Sequence, residues 1–268
     1  MSDMGDRWTG GWISLHTYDV TEILNEVQAA NGSVAVTITG SGKSRFQNDD
    51  DTLNLELWKA EVDKFAGFDF SPWIDDGTIF ALYLVDEPKS RSQWGGEIVH
   101  NEVIDEMARY AKQYWPTMPT TVRVQPTKLI RHAGGYDVPL ANWEWRHLDT
   151  AWAQYAARKG PIEEYVAAEV AGAEDLGLGL VFSLQTLTGG DGSSGLRGPG
   201  KYDDKWSMSP AEIVEYGSAM IAEPTACALL MWKYDNGFVY FERPDVRAAT
   251  DELGAQAAAR PGPSCKPS

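Results

Sequence analysis

The stretch of this 268-residue chain best suited to chemistry is Asp86-Glu87-Pro88, which directly follows the apolar run from Ile79 to Val85. A carboxylate at the end of such a run stands at the lip of a desolvated core, where burial is expected to raise its pKa. A glutamate so raised can protonate a glycosidic oxygen as a general acid. The plainer alternative is that Asp86 and Glu87 cap the segment that follows, or pair with Arg91. The remaining residues that follow strand-like runs are His16, Gln125, Gln154, Tyr155, Gln185, Trp232, Tyr234 and Asp235. Amides and carboxylates bind hydroxyl groups, and aromatic faces cover the apolar side of a sugar ring. This set, with Asp86 and with Trp94 and Trp232 as stacking faces, therefore suits a polyhydroxylated substrate. A partner for Glu87 is sought first in Asp235, at a strand end, then in Asp191, on a Gly-rich loop. Asp86 is expected to point elsewhere, because neighbours on an extended strand face opposite sides. Asp235 also lies in Asp-Asn-Gly, an ordinary turn sequence.

The elements that must position these groups alternate strand and helix along the chain, which predicts parallel strands joined by crossover helices. Strands are expected at 12–16, 33–39, 78–85, 120–124, 148–154, 178–184 and 226–234. Asp19 and Glu22 have capping-box spacing, Gly32 is expected to end the first helix, and Gly177 a later one. Ser209-Pro210-Ala211-Glu212 is a further helix start, with Ser as cap and Pro in the first turn. Residues 188–206 are turn-rich without apolar periodicity, and loops of that length are usually functional. Seven βα units with no linker predict a TIM-type (β/α)8 barrel with one strand irregular or missing. That strand is sought within 129–147 or at 237–241, and in a barrel the strands' C-terminal ends carry catalysis. One barrel domain over 1–260 and a tail at 261–268 are expected.

Leu84-Val85-Asp86-Glu87-Pro88 resembles the strand-end Asn-Glu-Pro or Asp-Glu-Pro signature of glycoside hydrolase TIM barrels, in which the Glu is the acid/base. With Trp94-Gly95-Gly96, the Gly-rich run from Gly189 to Gly195 and Trp206-Ser207-Met208-Ser209, nearly the whole chain is similar to bacterial proteins of that glycosidase-like superfamily. The resemblance implies the acid/base role for Glu87. Retaining members carry Asn before that Glu and a second Glu, the nucleophile, at a late strand end. Here Asp86 holds the first place and Gln185 and Asp235 end the late strands, so the nucleophile role is carried over to no residue.

Composition narrows the alternatives. A net charge of −16 repels phosphate backbones and anionic lipid, so nucleic acid is not an expected partner. No apolar run is long enough to span a membrane. The four His show no metal-binding spacing, Ile38 to Ser44 lacks the P-loop spacer, and no Ser sits in a nucleophile elbow, so no metal or other cofactor is expected. Cys227, near the start of the last strand, and Cys265, after the last helix, both reach the bottom of a barrel, where they can form a disulfide. Such a bond implies an oxidising compartment, hence a secreted or periplasmic protein whose signal peptide is no longer on the chain. The expectation is a monomeric carbohydrate hydrolase acting through Glu87, with Asp235 or Asp191 as partner. Alternatives are a barrel that binds glycans without cleaving them, and a metal-independent lyase or isomerase using Glu87 as base.

Overall fold

A computed structural model describes residues 11–17, 19–40, 42–133, 144–231, 238–260 and 265. Among the described residues seven strands run in chain order: β1 (Gly11–Ser14), β2 (Val34–Thr37), β3 (Ile79–Asp86), β4 (Thr120–Arg123), β5 (Thr150–Tyr155), β6 (Gly179–Leu184) and β7 (Ala226–Met231). Each pairs in parallel with the next, so the sheet order is simply β1 to β7. The sheet curls into an incomplete barrel, and no ladder joins β1 to β7 among the described residues. The helices are α1 (Val20–Ala29), α2 (Leu55–Asp63), α3 (Ser71–Asp75), α4 (Asn101–Tyr114), α5 (Pro126–Ala133), α6 (Ile162–Leu176), α7 (Pro210–Ala222), α8 (Phe238–Phe241) and α9 (Pro244–Ala258).

Strand alternation sorts the apolar side chains into two faces. Ile13, Val36, Leu82, Leu84 and Val122 point outward against Trp58, Val62, Ile104 and Met107 of α2 and α4. Phe182, Leu184 and Leu229 meet Val166, Ile213, Met220 and Val246 of α6, α7 and α9. The inner face carries Ala35, Tyr83, Trp152, Val181 and Leu230, joined by Cys265. That cysteine bonds Cys227, the second residue of β7, with Cα atoms 5.2 Å apart. Its carbonyl lies near Gly179, the first residue of β6, so the tail is pinned at the strands' N-terminal end, where the sequence placed it.

The helix signals were legible. Asp19 accepts from the Glu22 N–H at 3.0 Å, the Ser209/Glu212 capping box forms both of its bonds, and Gly177 takes the left-handed conformation that ends α6. At the end of α1 the left-handed residue is Asn31, with φ 51°, not Gly32. The strand expected over 12–16 stops at Ser14, so His16 falls in a single 3-10 turn. The eighth strand is at neither position suggested for it within the described residues: 126–133 form α5 and 238–241 form α8. Both segments carry apolar residues three and four apart as readily as two apart, so short-range pattern does not separate a turn of helix from a strand. The Asp235-Asn236-Gly237 turn lies outside the described residues.

Candidate active site

The mouth is built from the C-terminal ends of β3 to β6. Burial and regular alternation hold Tyr83 on the inner face, and a register shift between Tyr83 and Asp86 brings the two side chains together. The Tyr83 hydroxyl donates to Asp86 Oδ1 at 2.7 Å, and Arg123, the register partner of Asp86 on β4, places Nε 2.6 Å from the same oxygen. Arg123 Nη2 lies 3.4 Å from Glu87 Oε1. Thus Asp86 and Glu87 do not diverge: one guanidinium meets both. The cause is the backbone of Glu87, whose φ of 42° breaks strand alternation and turns its side chain back over the mouth. The Glu87 carbonyl accepts from the Ser90 N–H at 2.9 Å and the Trp94 indole at 3.1 Å, which together hold this strained conformation.

The Glu87 carboxylate also accepts from Gln93 Nε2 at 2.9 Å and remains 41% exposed. The desolvated lip expected from sequence is therefore a half-open site beside a guanidinium. The arginine that meets Glu87 is Arg123; Arg91 donates to the Gly96 carbonyl. Lys43, from the rim loop after β2, stands 3.8 Å from Asp86 and bonds Gln93. Burial lowers its pKa, opposed by the charge of Asp86. Burial likewise works against the charge of Arg123, but Tyr83, Asp86 and Glu87 outweigh it and hold its pKa above the ordinary value. The Tyr83 phenol is pushed well up by burial, then by Asp86. Lys43, Arg123 and Gln93 were missed from sequence. Arg123 was discoverable, since it lies two residues beyond inward-facing Thr121 on the same strand.

The structure redistributes several expected site residues. Trp94 is 1% exposed, with Phe46 against its ring and Lys43 over it, so it is a clamp on the Glu87 backbone and not a stacking face. Tyr155 is also 1% exposed; it packs between Tyr165 and Tyr216 and donates to the Gly160 carbonyl, so it does not line the mouth. His16 Nε2 sits 3.0 Å from Glu61 and 2.9 Å from Arg45. Gln125 turns toward α6, donating to Glu169 at 3.2 Å. Gln154 and Gln185 do meet, at 3.2 Å. Two of the three expected glutamines are therefore joined directly.

The Gly-rich loop is packed. Gly190 runs so close to Ser207 that a Cβ would lie 2.3 Å from its carbonyl oxygen. Arg197 stacks on Trp206 at 3.4 Å. Glu212 accepts from the N–H groups of Asp191 at 2.8 Å and Ser209 at 2.6 Å. The Asp191 carboxylate closes a turn on the Ser193 N–H at 2.7 Å, and that bond lowers its pKa. Trp232, Tyr234 and Asp235 lie outside the described residues. Among those described, no three His, Cys, Asp or Glu side chains cluster as a metal site, and no helix is long and apolar enough to cross a membrane.

No protein-family model matches the chain, and no curated protein does. Solved structures do. A cellulase in complex with an inhibitor is 12% identical, with 90% of this chain and 75% of that one covered at a TM-score of 0.51. A GH10 xylanase with a bacterial Ig-like domain, from termite gut, is 10% identical, with 89% and 63% covered at 0.52. An intracellular xylanase of Thermoanaerobacterium saccharolyticum is 14% identical at a TM-score of 0.43. The matched region spans 59% of that xylanase and 37% of a Ruminococcus gnavus β-glucuronidase. At these identities the likeness is one of fold: the chain has TIM-barrel architecture, with seven strands among the described residues.

Proposed function

We propose that the chain is a glycoside hydrolase in which Glu87 serves as acid/base on a poly- or oligosaccharide. The observation that carries this reading is the left-handed Glu87 backbone, fixed by Trp94 and Ser90, which turns a half-exposed carboxyl over the barrel mouth. A strained non-glycine residue persists where its surroundings over-determine it, and such residues cluster at active sites. The barrel fold shared with a cellulase and a xylanase supports the same reading. In the protonated form Glu87 would give its proton to the glycosidic oxygen as the bond to the anomeric carbon breaks. Asp235 is the proposed second carboxylate, since Asp191 and Asp86 are each held by other groups. A gap of about 5 Å between the carboxyls would give retention, and roughly 6.5 to 9.5 Å inversion through water.

The engagement of Asp86 and Asp191 favours one alternative, a barrel that binds glycans without cleaving them. Release of reducing ends from polysaccharides and aryl glycosides, by wild type and Glu87→Gln, separates the two. Turnover lost in the variant supports hydrolysis; glycan binding with no turnover in wild type supports the alternative. The disulfide fits a secreted or periplasmic location, which we propose for the protein.

A further inference from the structure

Across the mouth from Asp86, side chains of β5, β6 and the turn after β5 form an oriented chain of donors. Arg158 Nη2 donates to Gln185 Oε1 at 2.7 Å, and Gln185 Nε2 donates to Gln154 Oε1 at 3.2 Å. An arginine has no acceptor, so it dictates the orientation of both amides. The chain must end on Gln154 Nε2, a buried donor with no acceptor among the described residues. A buried donor left without a partner costs free energy, and one polarised by a cation upstream calls for an acceptor of negative charge.

One further cation contacts Gln154, and a second acts on that cation electrostatically. Lys159 reaches the Gln154 carbonyl and lies over the Tyr165 ring, and Lys128 of α5 is close enough to repel it. The partners of Arg158 and Lys159 are neutral: Arg158 binds Gln185 and the Thr188 carbonyl, so neither charge is cancelled by a contacting carboxylate among the described residues. Glu169, bonded to Thr127 and Gln125, and Glu87, bonded to Gln93 and paired with Arg123, act on Lys159 electrostatically without contacting it. Two cations whose direct partners are all neutral, in a chain of net charge −16, are a feature a neutral sugar does not require.

We propose that Gln154, Arg158 and Lys159 form a subsite for an anionic group on the glycan, a carboxylate or sulfate ester, beside Glu87. The subsite rests on the glycoside hydrolase reading for its substrate class. Its ligand is then an acidic oligosaccharide, with the anion accepting from the Gln154 amide and lying against the two cations.

Calorimetric binding to the Glu87→Gln protein tests this without turnover. The probes are oligogalacturonides and glucuronoxylan oligosaccharides, each against its carboxyl-reduced form, and sulfated against desulfated heparan oligosaccharides. At least one acidic probe should bind about tenfold tighter than its neutral twin. The Arg158→Gln/Lys159→Gln double variant should lose that preference. The near-isosteric Gln154→Glu should weaken acidic probes selectively, while circular dichroism confirms the fold of each variant. Equal binding of every charged and neutral pair, no binding of acidic glycans, or a preference that survives all these changes overturns the proposal. Hydrolysis of neutral glycans with no acidic preference overturns the subsite alone. Acidic preference with no hydrolysis by wild type overturns the hydrolase reading alone.

Discussion

The Trp94 indole donates to the main-chain carbonyl of Glu87 at 3.1 Å, tying the loop after β3 to the one residue at its start whose φ is positive without being glycine. This bond fixes the backbone from which the carboxyl projects. Trp94→Phe keeps an aromatic ring in the site but removes the indole donor and leaves a small cavity where the fully buried side chain stood. Lost hydrogen bond and cavity together should cost about 2 to 4 kcal/mol, or roughly 5 to 15 °C in Tm. The substitution should also lower kcat with little change in KM, because the displaced group is the proton donor and not a binding contact. Calorimetry with steady-state kinetics checks both, and a change confined to Tm would reduce Trp94 to a packing role.

The two remaining carboxylate candidates are separable by phenotype. Asp235→Asn should reduce turnover by a factor on the order of 10² or more, as expected for loss of a carboxylate acting in the transition state. Asp191→Asn should act on loop order, since its side chain is occupied with Ser193. Equal losses of kcat in both variants would exclude this assignment.

Glu212 is a structural hub for the Gly-rich loop: it accepts from Asp191, Ser193 and Ser209 while nearly buried. Glu212→Ala leaves the N–H groups of Asp191 and Ser209 without this acceptor and should cost about 2 to 3 kcal/mol. Glu212→Gln retains one acceptor oxygen and should recover part of that. Chemical denaturation of both variants provides the comparison.

The Cys227–Cys265 bond closes a separation of 38 residues, for which chain-entropy reasoning gives about 4 kcal/mol. Reduction, or a Cys227→Ser/Cys265→Ser double change, should lower Tm by roughly 10 °C. Activity at 25 °C should persist, because the bond lies at the end of the barrel opposite the mouth. Loss of activity in a still-folded reduced protein would contradict that placement.

Lys159 supplies a pH signature. Burial first, and then Lys128 and Arg158, pull its pKa down to about 8, against the raising effect of Glu169 and Glu87. Its charge is therefore complete near pH 6 and is lost as pH rises through 8. Affinity for acidic oligosaccharides should fall over that interval in Glu87→Gln. Binding of the carboxyl-reduced forms should stay level, as should the acidic affinity that remains in Lys159→Gln.

The amino-acid sequence alone carried the order of the seven strands, the parallel topology, the capping box at Ser209, the stop at Gly177, the pairing of two cysteines at the strands' N-terminal end and the standing of Glu87 at a strand end. These are local patterns, or follow from chain direction, which strand and helix periodicities express within a few residues. What only the tertiary structure decided is who faces whom across the mouth. Arg123 meets both Asp86 and Glu87 because β4 pairs with β3 in one register and Glu87 leaves the extended conformation. Trp94 is buried and Tyr155 turned away for the same kind of reason: their neighbours Phe46, Lys43 and Tyr216 come from other segments. Periodicity assigns a side chain to a face; its partners depend on the register of the strands and the curl of the sheet, which are settled by packing over the whole chain.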